Sequence, residues 1–217
     1  MLKGKVMETF QFGNKKIALF GEGDDIVFIP ASAEEGAKIA RMTRNCRLAV
    51  IDGFDWNLDL SPWKAKAAFR QGGDFGGGAE SFLSGVIEIA GRFDGRKFIA
   101  GYSLAGLFAL WSVTKTDIFY GAASVSGSMW FDGFTGYLAG AKLNAEKIYF
   151  SLGDRERNAR DPRLASVEDR TREICENVKS RGIETVFELN PGGHFNEPEK
   201  RCAKAIAWLI SGGKQNV

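Results

Sequence analysis

Histidine is nearly absent. His194 is the only one in 217 residues, so any reaction that runs through an imidazole has a single candidate. The three cysteines, Cys46, Cys175 and Cys202, are odd in number and far apart, which excludes a disulfide framework and a zinc-ligand spacing. They read as reduced thiols. No cluster of histidine, cysteine and carboxylates suggests a metal, and no cofactor is expected. Neither charge dominates: 29 Lys and Arg against 27 Asp and Glu leave a net charge of +2. That balance supplies no field for nucleic acid or an anionic membrane. No apolar run reaches the roughly 18 residues that a membrane helix needs. The opening Met-Leu-Lys-Gly-Lys-Val has no apolar signal-peptide core. The expectation is a cytoplasmic chain with no nucleic acid and no membrane as partner.

Hydrophobic residues make up 44% and charged residues 26%, enough apolar material for one core. The 27 glycines point to tight turns and close backbone approaches. No repeat, low-complexity tract or linker interrupts the chain, so one domain over 1–217 is expected. Residues 5–10, 16–20 and 25–30 read as three strands, an antiparallel-looking start. Residues 33–45 follow with helical spacing. From 47 onward, apolar strands (47–52, 97–102, 121–126, 147–152, 185–189) alternate with helices (77–93, 104–113, 167–181, 197–210). Strands of that kind are parallel and covered on both faces. The fold class is α/β: a mixed, mostly parallel, doubly wound sheet with helices on both faces.

Ligands of open α/β sheets bind beyond the carboxyl ends of the strands, so the residue after each strand carries the most information. After 97–102 comes Gly101-Tyr102-Ser103-Leu104-Ala105-Gly106. A serine between small residues at a strand-to-helix turn has the form of a nucleophile elbow, although Gly-x-Ser-x-Gly has become Gly-x-Ser-x-Ala. Such a turn exposes the Ser103 hydroxyl and aims the Leu104 N–H at a developing oxyanion. The competing reading is an ordinary glycine-rich turn with a capping serine. After 185–189 comes Asn190-Pro-Gly-Gly-His194, a glycine-bracketed loop that presents a side chain to solvent. A histidine there can take a proton from a serine. After 147–152 comes Gly153-Asp154-Arg155-Glu156, which offers two carboxylates to orient the imidazole. Asp161 and Asp169 lie further from the strand end. Serine, acid, histidine is the chain order of α/β-hydrolases.

With these motifs the chain resembles the α/β-hydrolase esterases that include esterase D-like and enterochelin-esterase-like proteins. Gly-Tyr-Ser103-Leu-Ala-Gly, Ser-Leu-Gly-Asp-Arg-Glu156 and Gly-Gly-His194 carry the resemblance. Asp55-Trp-Asn-Leu-Asp-Leu-Ser-Pro-Trp63 and Asp74-Phe-Gly-Gly-Gly78 are similar to segments of small bacterial members. It runs from about residue 47 to the C-terminus and is weaker before that. It implies serine-dependent cleavage of a small-molecule ester, without a cofactor. It also implies Glu156 rather than Asp154 as the acid. A second oxyanion donor would lie within Gly53–Trp56, at the N–H of Asp55 or Trp56.

Residues 52–78 form a connection long enough to be functional. Trp56 is expected to wall a substrate pocket, with Tyr102, Met129 and Trp130 from the neighbouring strand ends. Trp63 and Phe69 fit a satellite core better. Ser61-Pro62-Trp63 reads as the start of a short helix. The spacing between 126 and 147 leaves no room for a large cap domain. Gly72 to Gly78 lacks the Lys-Ser/Thr ending of a phosphate loop. The same serine, acid and histidine could serve a thioesterase, peptidase or lactonase, and the fold could also be a non-catalytic binding scaffold. Seventeen phenylalanines and five tryptophans are enough for a homo-oligomer contact, but no segment identifies one.

Overall fold

The computed structural model describes residues 6–13, 15–68 and 72–212. Phe69 lies outside the described residues, as do residues 213–217 of the terminal stretch 212–217, whose composition leads one to expect fraying. The first half runs β1 (Val6–Phe12), β2 (Lys15–Phe20), β3 (Ile26–Pro30), α1 (Ala33–Met42), β4 (Arg47–Asp52), α2 (Trp56–Asp59), β5 (Lys64–Ala65), β6 (Phe75–Gly76) and α3 (Ala79–Ala90). The second half runs β7 (Lys97–Tyr102), α4 (Leu104–Ser112), β8 (Gly121–Val125), α5 (Phe134–Gly140), β9 (Lys147–Gly153), a 3₁₀ turn (Glu156–Asn158), α6 (Pro162–Ala165), α7 (Val167–Ser180), β10 (Glu184–Asn190) and α8 (Pro198–Ile210).

Eight strands form one sheet in the order β1-β2-β4-β3-β7-β8-β9-β10. β2 is antiparallel to both β1 and β4, and every other pairing is parallel. The first three strands therefore do not form one antiparallel unit. β4 inserts between β2 and β3, and β3 runs parallel to it. The reason lies in β3 itself. All five of its residues are buried, as in a strand covered on both faces, and α1 carries the chain back over the sheet to β4.

Helices cover both faces. Phe82, Leu83, Val86 and Ile89 of α3, the whole of α4, and Ile174, Cys175 and Val178 of α7 close one core. Ile39 of α1 and Cys202, Ala205, Ile206 and Leu209 of α8 close the other. All nine residues of α4 are buried, the mark of a helix apolar on every side. Removing Phe108 from it would cost about 3–5 kcal/mol.

The register sets where chemistry can occur. Tyr102 at the end of β7 pairs with Val125 of β8, Val125 pairs with Ser151 of β9, and Gly153 pairs with Asn190 of β10. Residues 103, 126, 154–156 and 191–194 thus share one edge. Among the described residues no large cap covers that edge, and only α5 lies between β8 and β9.

The short helix of the 53–78 loop differs from expectation. It is α2, before Ser61, because the Asp55 carboxylate caps it by accepting from Leu58 N–H at 2.8 Å. Ser61 lies past it, with its hydroxyl donating to the Asn57 carbonyl at 2.6 Å and accepting from Gly77 N–H at 2.8 Å. That bond ties the segment after α2 to the glycine-rich end of the loop. The glycine-rich stretch is partly β6, paired with β5.

Candidate active site

Ser103 sits at φ 57°, ψ −121° between β7 and α4. A serine rarely adopts this conformation, which costs of order 1–3 kcal/mol and persists only when the surroundings impose it. Three N–H groups do so: Gly106, Leu107 and Ser128 donate to the Ser103 carbonyl at 3.0, 3.2 and 3.1 Å. Gly101 makes the turn possible. A Cβ on it would lie 2.1 Å from the Ala105 carbonyl oxygen and 2.8 Å from the Ala105 methyl. The methyl of Ala105 is tolerated because its partner across the turn has none.

His194 Nε2 lies 3.1 Å from Ser103 Oγ, and His194 Nδ1 lies 2.8 Å from Glu156 Oε2. An ionised carboxylate only accepts. Nδ1 therefore carries the proton, and Nε2 is left to accept from the serine. Glu156 is itself buried. Its other oxygen accepts from Gly153 N–H at 2.6 Å and from the Ser126 hydroxyl at 2.7 Å. Burial pushes this carboxyl up, but the bonds from His194, Gly153 and Ser126 outweigh it and hold the group below its ordinary 4.5.

The loop carrying His194 is anchored from three sides. Asp154 does not reach His194. Its carboxylate accepts from Gly192 N–H at 2.8 Å, in the turn where Gly192 adopts φ 100°. The Tyr102 hydroxyl donates to the His194 carbonyl, and burial pushes that hydroxyl up to about 12, so it stays a donor. Arg201 of α8 donates to the carbonyls of Pro191 and Gly193, both at 3.1 Å. Asp161 caps α6 and Asp169 lies in the first turn of α7; neither serves the histidine.

A cavity of about 340 Å³ opens over Ser103, His194 and Glu156, walled by Trp56, Phe75, Trp130, Leu164 and Val167. Leu104 also borders it. As first residue of α4 its N–H lacks an intrahelical partner. Trp56 holds the same position in α2. The Asp55 N–H, in contrast, donates to the Asp59 carboxylate at 3.0 Å, which removes it from the oxyanion donors. Two other expected wall residues are displaced. Met129 is 1% exposed and belongs to the core that α3 and α4 close. Tyr102 lies behind His194 rather than on the cavity. Trp63 packs against Phe131, Phe134 and Tyr137; Phe131 and Phe134 belong to the main core, so Trp63 extends that core rather than forming the separate satellite expected.

Sequence reasoning missed Ser126, Ser128 and Arg201. Ser128 Oγ lies 3.5 Å from Ser103 Oγ and borders the cavity. Ser126 takes φ 46°, just past β8, between the ends of β7 and β9 that supply Ser103 and Glu156. That position was the available signal. Among the described residues no group of His, Cys, Asp and Glu could hold a metal ion, and no helix is long and apolar enough to cross a membrane. All three cysteines are free and buried.

The strand order and the strained serine define the α/β-hydrolase fold. Solved structures agree. An IroE-like serine hydrolase from Shewanella oneidensis superposes with TM-score 0.72 at 12% identity, over 88% of this chain and 74% of that one. The siderophore hydrolase EstB from Aspergillus nidulans does so with TM-score 0.67 at 14% identity, over 93% of each chain. A ferulic acid esterase gives 0.62 at 14%, over 94% of this chain and 96% of that one. These neighbours are serine hydrolases and esterases, of the group that the motifs resemble. No family model matches the chain, and no curated protein matches it by sequence.

Proposed function

We propose that this chain is a serine hydrolase of carboxylic esters. The single observation that carries the reading is the unbroken line from Ser103 Oγ through His194 to buried Glu156, open to a cavity on the serine side. Ser103 Oγ attacks the ester carbonyl while His194 Nε2 takes the hydroxyl proton. The N–H groups of Leu104 and Trp56 face the developing oxyanion. Glu156 balances the imidazolium. His194 then returns the proton to the leaving alcohol, and an acyl group remains on Ser103. A water molecule, deprotonated by His194, attacks that acyl group; the bond to Ser103 Oγ breaks, the serine oxygen takes the proton back from His194, and the acid is released.

The walls speak for a neutral, apolar group on the substrate. Among the described residues that border the cavity, Glu156 is the only carboxylate and there is no lysine or arginine to receive an anion. The ferulic acid esterase among the structural neighbours supports an ester as substrate. Buried free thiols suit a reducing compartment, so the cytoplasm is the proposed location.

Intact-mass analysis after fluorophosphonate treatment tests the reading on wild type and Ser103→Ala together. One phosphonyl adduct on wild type alone is the expected result. No adduct on folded wild type would overturn it. A matched pair of aryl esters, one with a neutral acyl group and one with a terminal carboxylate, then tests the cavity. Equal turnover of both would overturn the neutral-substrate reading.

A further inference from the structure

We infer that Arg201 is a positioning residue for this hydrolase, one that couples the acid to the histidine loop through a single guanidinium. The inference rests on the serine-hydrolase reading above.

Arg201 lies near the start of α8, and its side chain is 3% exposed. An arginine is seldom buried so completely without a specific set of acceptors. Here the set spans both halves of the site. Nη1 donates to the Ser126 hydroxyl oxygen at 3.1 Å and reaches Glu156 Oε1 at 3.4 Å. Nη2 donates to the carbonyls of Pro191 and Gly193 at 3.1 Å each. The first pair sets the far oxygen of Glu156. The second sets the backbone immediately before His194. One rigid planar fork therefore fixes the acid and the loop relative to each other, which a lysine's point charge cannot do.

Charge points the same way. Glu156 is buried to a side-chain exposure of 4% and needs a counter-charge while His194 is neutral. Arg155 and Arg157 of the same turn are 75% and 62% exposed, and Arg157 pairs with Glu168. Arg201 is the cation buried against the carboxylate. It touches neither Ser103 nor the cavity, so its effect must pass through Glu156 and the loop.

The test uses the full chain, with an aryl ester as substrate and with fluorophosphonate labelling of wild type as the prior control. Absence of labelling there would defeat the hydrolase reading itself, a failure distinct from every Arg201 outcome. Arg201→Met is expected to lower kcat about 100-fold, the scale of a small misplacement of reacting groups, with KM within about twofold of wild type. Arg201→Lys keeps the charge and loses the fork, and is expected to fall between the two. In a Glu156→Gln background, Arg201→Met is expected to cost less than about fivefold more, because residues acting as a unit do not add. A full 100-fold loss in that background would overturn the inference, as would wild-type kcat in Arg201→Met. Should a lone buried Glu156 keep Arg201→Met from folding, comparing Glu156→Gln with Glu156→Gln/Arg201→Met gives the same reading without a lone charge. Failure of that double variant to fold would also overturn it, by making Arg201 a requirement of the fold.

Discussion

Two loops meet over Ser103, and they bring different kinds of group to it. The loop after β10 is held by directional polar bonds. Arg201 holds Pro191 and Gly193, Tyr102 holds His194, Asp154 holds Gly192, and the Asn196 side chain accepts from Gly193 N–H at 2.7 Å. The 53–78 loop, which supplies Trp56 and Phe75, has hydrogen bonds of its own away from the catalytic residues, such as those of Ser61 with Asn57 and Gly77, but what it turns toward the cavity is packed through rings. Phe75 stands edge-on to Phe131 at 5.0 Å and tilts against Trp130 at 6.2 Å. Its Lys66–Asp74 ion pair lies at the surface, with side chains 87% and 56% exposed, and contributes little. Hydrogen bonds have narrow angular limits, whereas ring packing tolerates shifts. The chain thus places its directional bonds where a proton must pass between fixed atoms, and apolar packing where a substrate group needs only a fitting wall.

The comparison breaks most sharply if a member of the fixed side can be lost without effect. His194→Ala is expected to lower kcat by roughly 10⁵- to 10⁶-fold with little change in Tm, since the side chain is 29% exposed. Steady-state turnover of an aryl ester, paired with a melting curve, checks both. Glu156→Gln is expected to cost about 10⁴-fold. The amide can donate to Nδ1 and so favour the wrong imidazole tautomer, while the charge that balances imidazolium is gone. A Glu156→Gln enzyme within about tenfold of wild type would reduce the site to a Ser–His pair.

Much of the fixed side is legible in the amino-acid order, and the reason is local. Ser103, Glu156 and His194 each follow an apolar strand by a few residues, and parallel strands bring such positions to one edge whatever the rest of the fold does. What supports them is not legible. Arg201 looks like one more cation on an amphipathic helix, and only the packing of α8 against β8 and β9 turns it inward. Strand order escapes for the same reason: hydrogen-bonded neighbours are chosen by crossover geometry, so nothing local announces that β4 enters between β2 and β3. Met129 goes to the core instead of the pocket because an aromatic-rich loop does not say which of its side chains face inward. Asp55 is lost as a donor to a capping interaction that its own sequence, Asp-x-x-x-Asp, contains.

The ring-packed side is expected to respond in specificity rather than rate. Trp56 is 42% exposed yet walls the cavity, so Trp56→Ala should change the order of preference across acyl chain lengths and raise KM severalfold, with kcat for the shortest ester within about tenfold of wild type. A preference profile unchanged from wild type would remove Trp56 from the wall. Tyr102→Phe returns to the fixed side at smaller scale. It deletes one bond to the His194 carbonyl, about 1 kcal/mol, or roughly fivefold in kcat. No change would mean that Arg201 and Asp154 hold the loop without it.

The smallest effect separates the two loops by pH. Glu156 is held below its ordinary 4.5 in the folded chain, so the folded state binds its proton less readily than the unfolded chain does. Its contribution to stability is therefore complete above about 4.5 and is lost as pH falls through the lower, folded value. Wild type should lose stability on acidification below about pH 4.5 more steeply than Glu156→Gln, measured as denaturation midpoints at stepped pH. The Lys66–Asp74 pair offers a control on the other loop. Asp74 is also held below its ordinary 3.8, first by its bond to Lys66 and then by Ala67 N–H, but it is exposed to water and salt. Asp74→Asn should leave the acid slope of wild type nearly unchanged. Equal flattening by Asp74→Asn and Glu156→Gln would mean that burial gives the Glu156 network no advantage over a surface ion pair, and the contrast between the loops would fail at its electrostatic root.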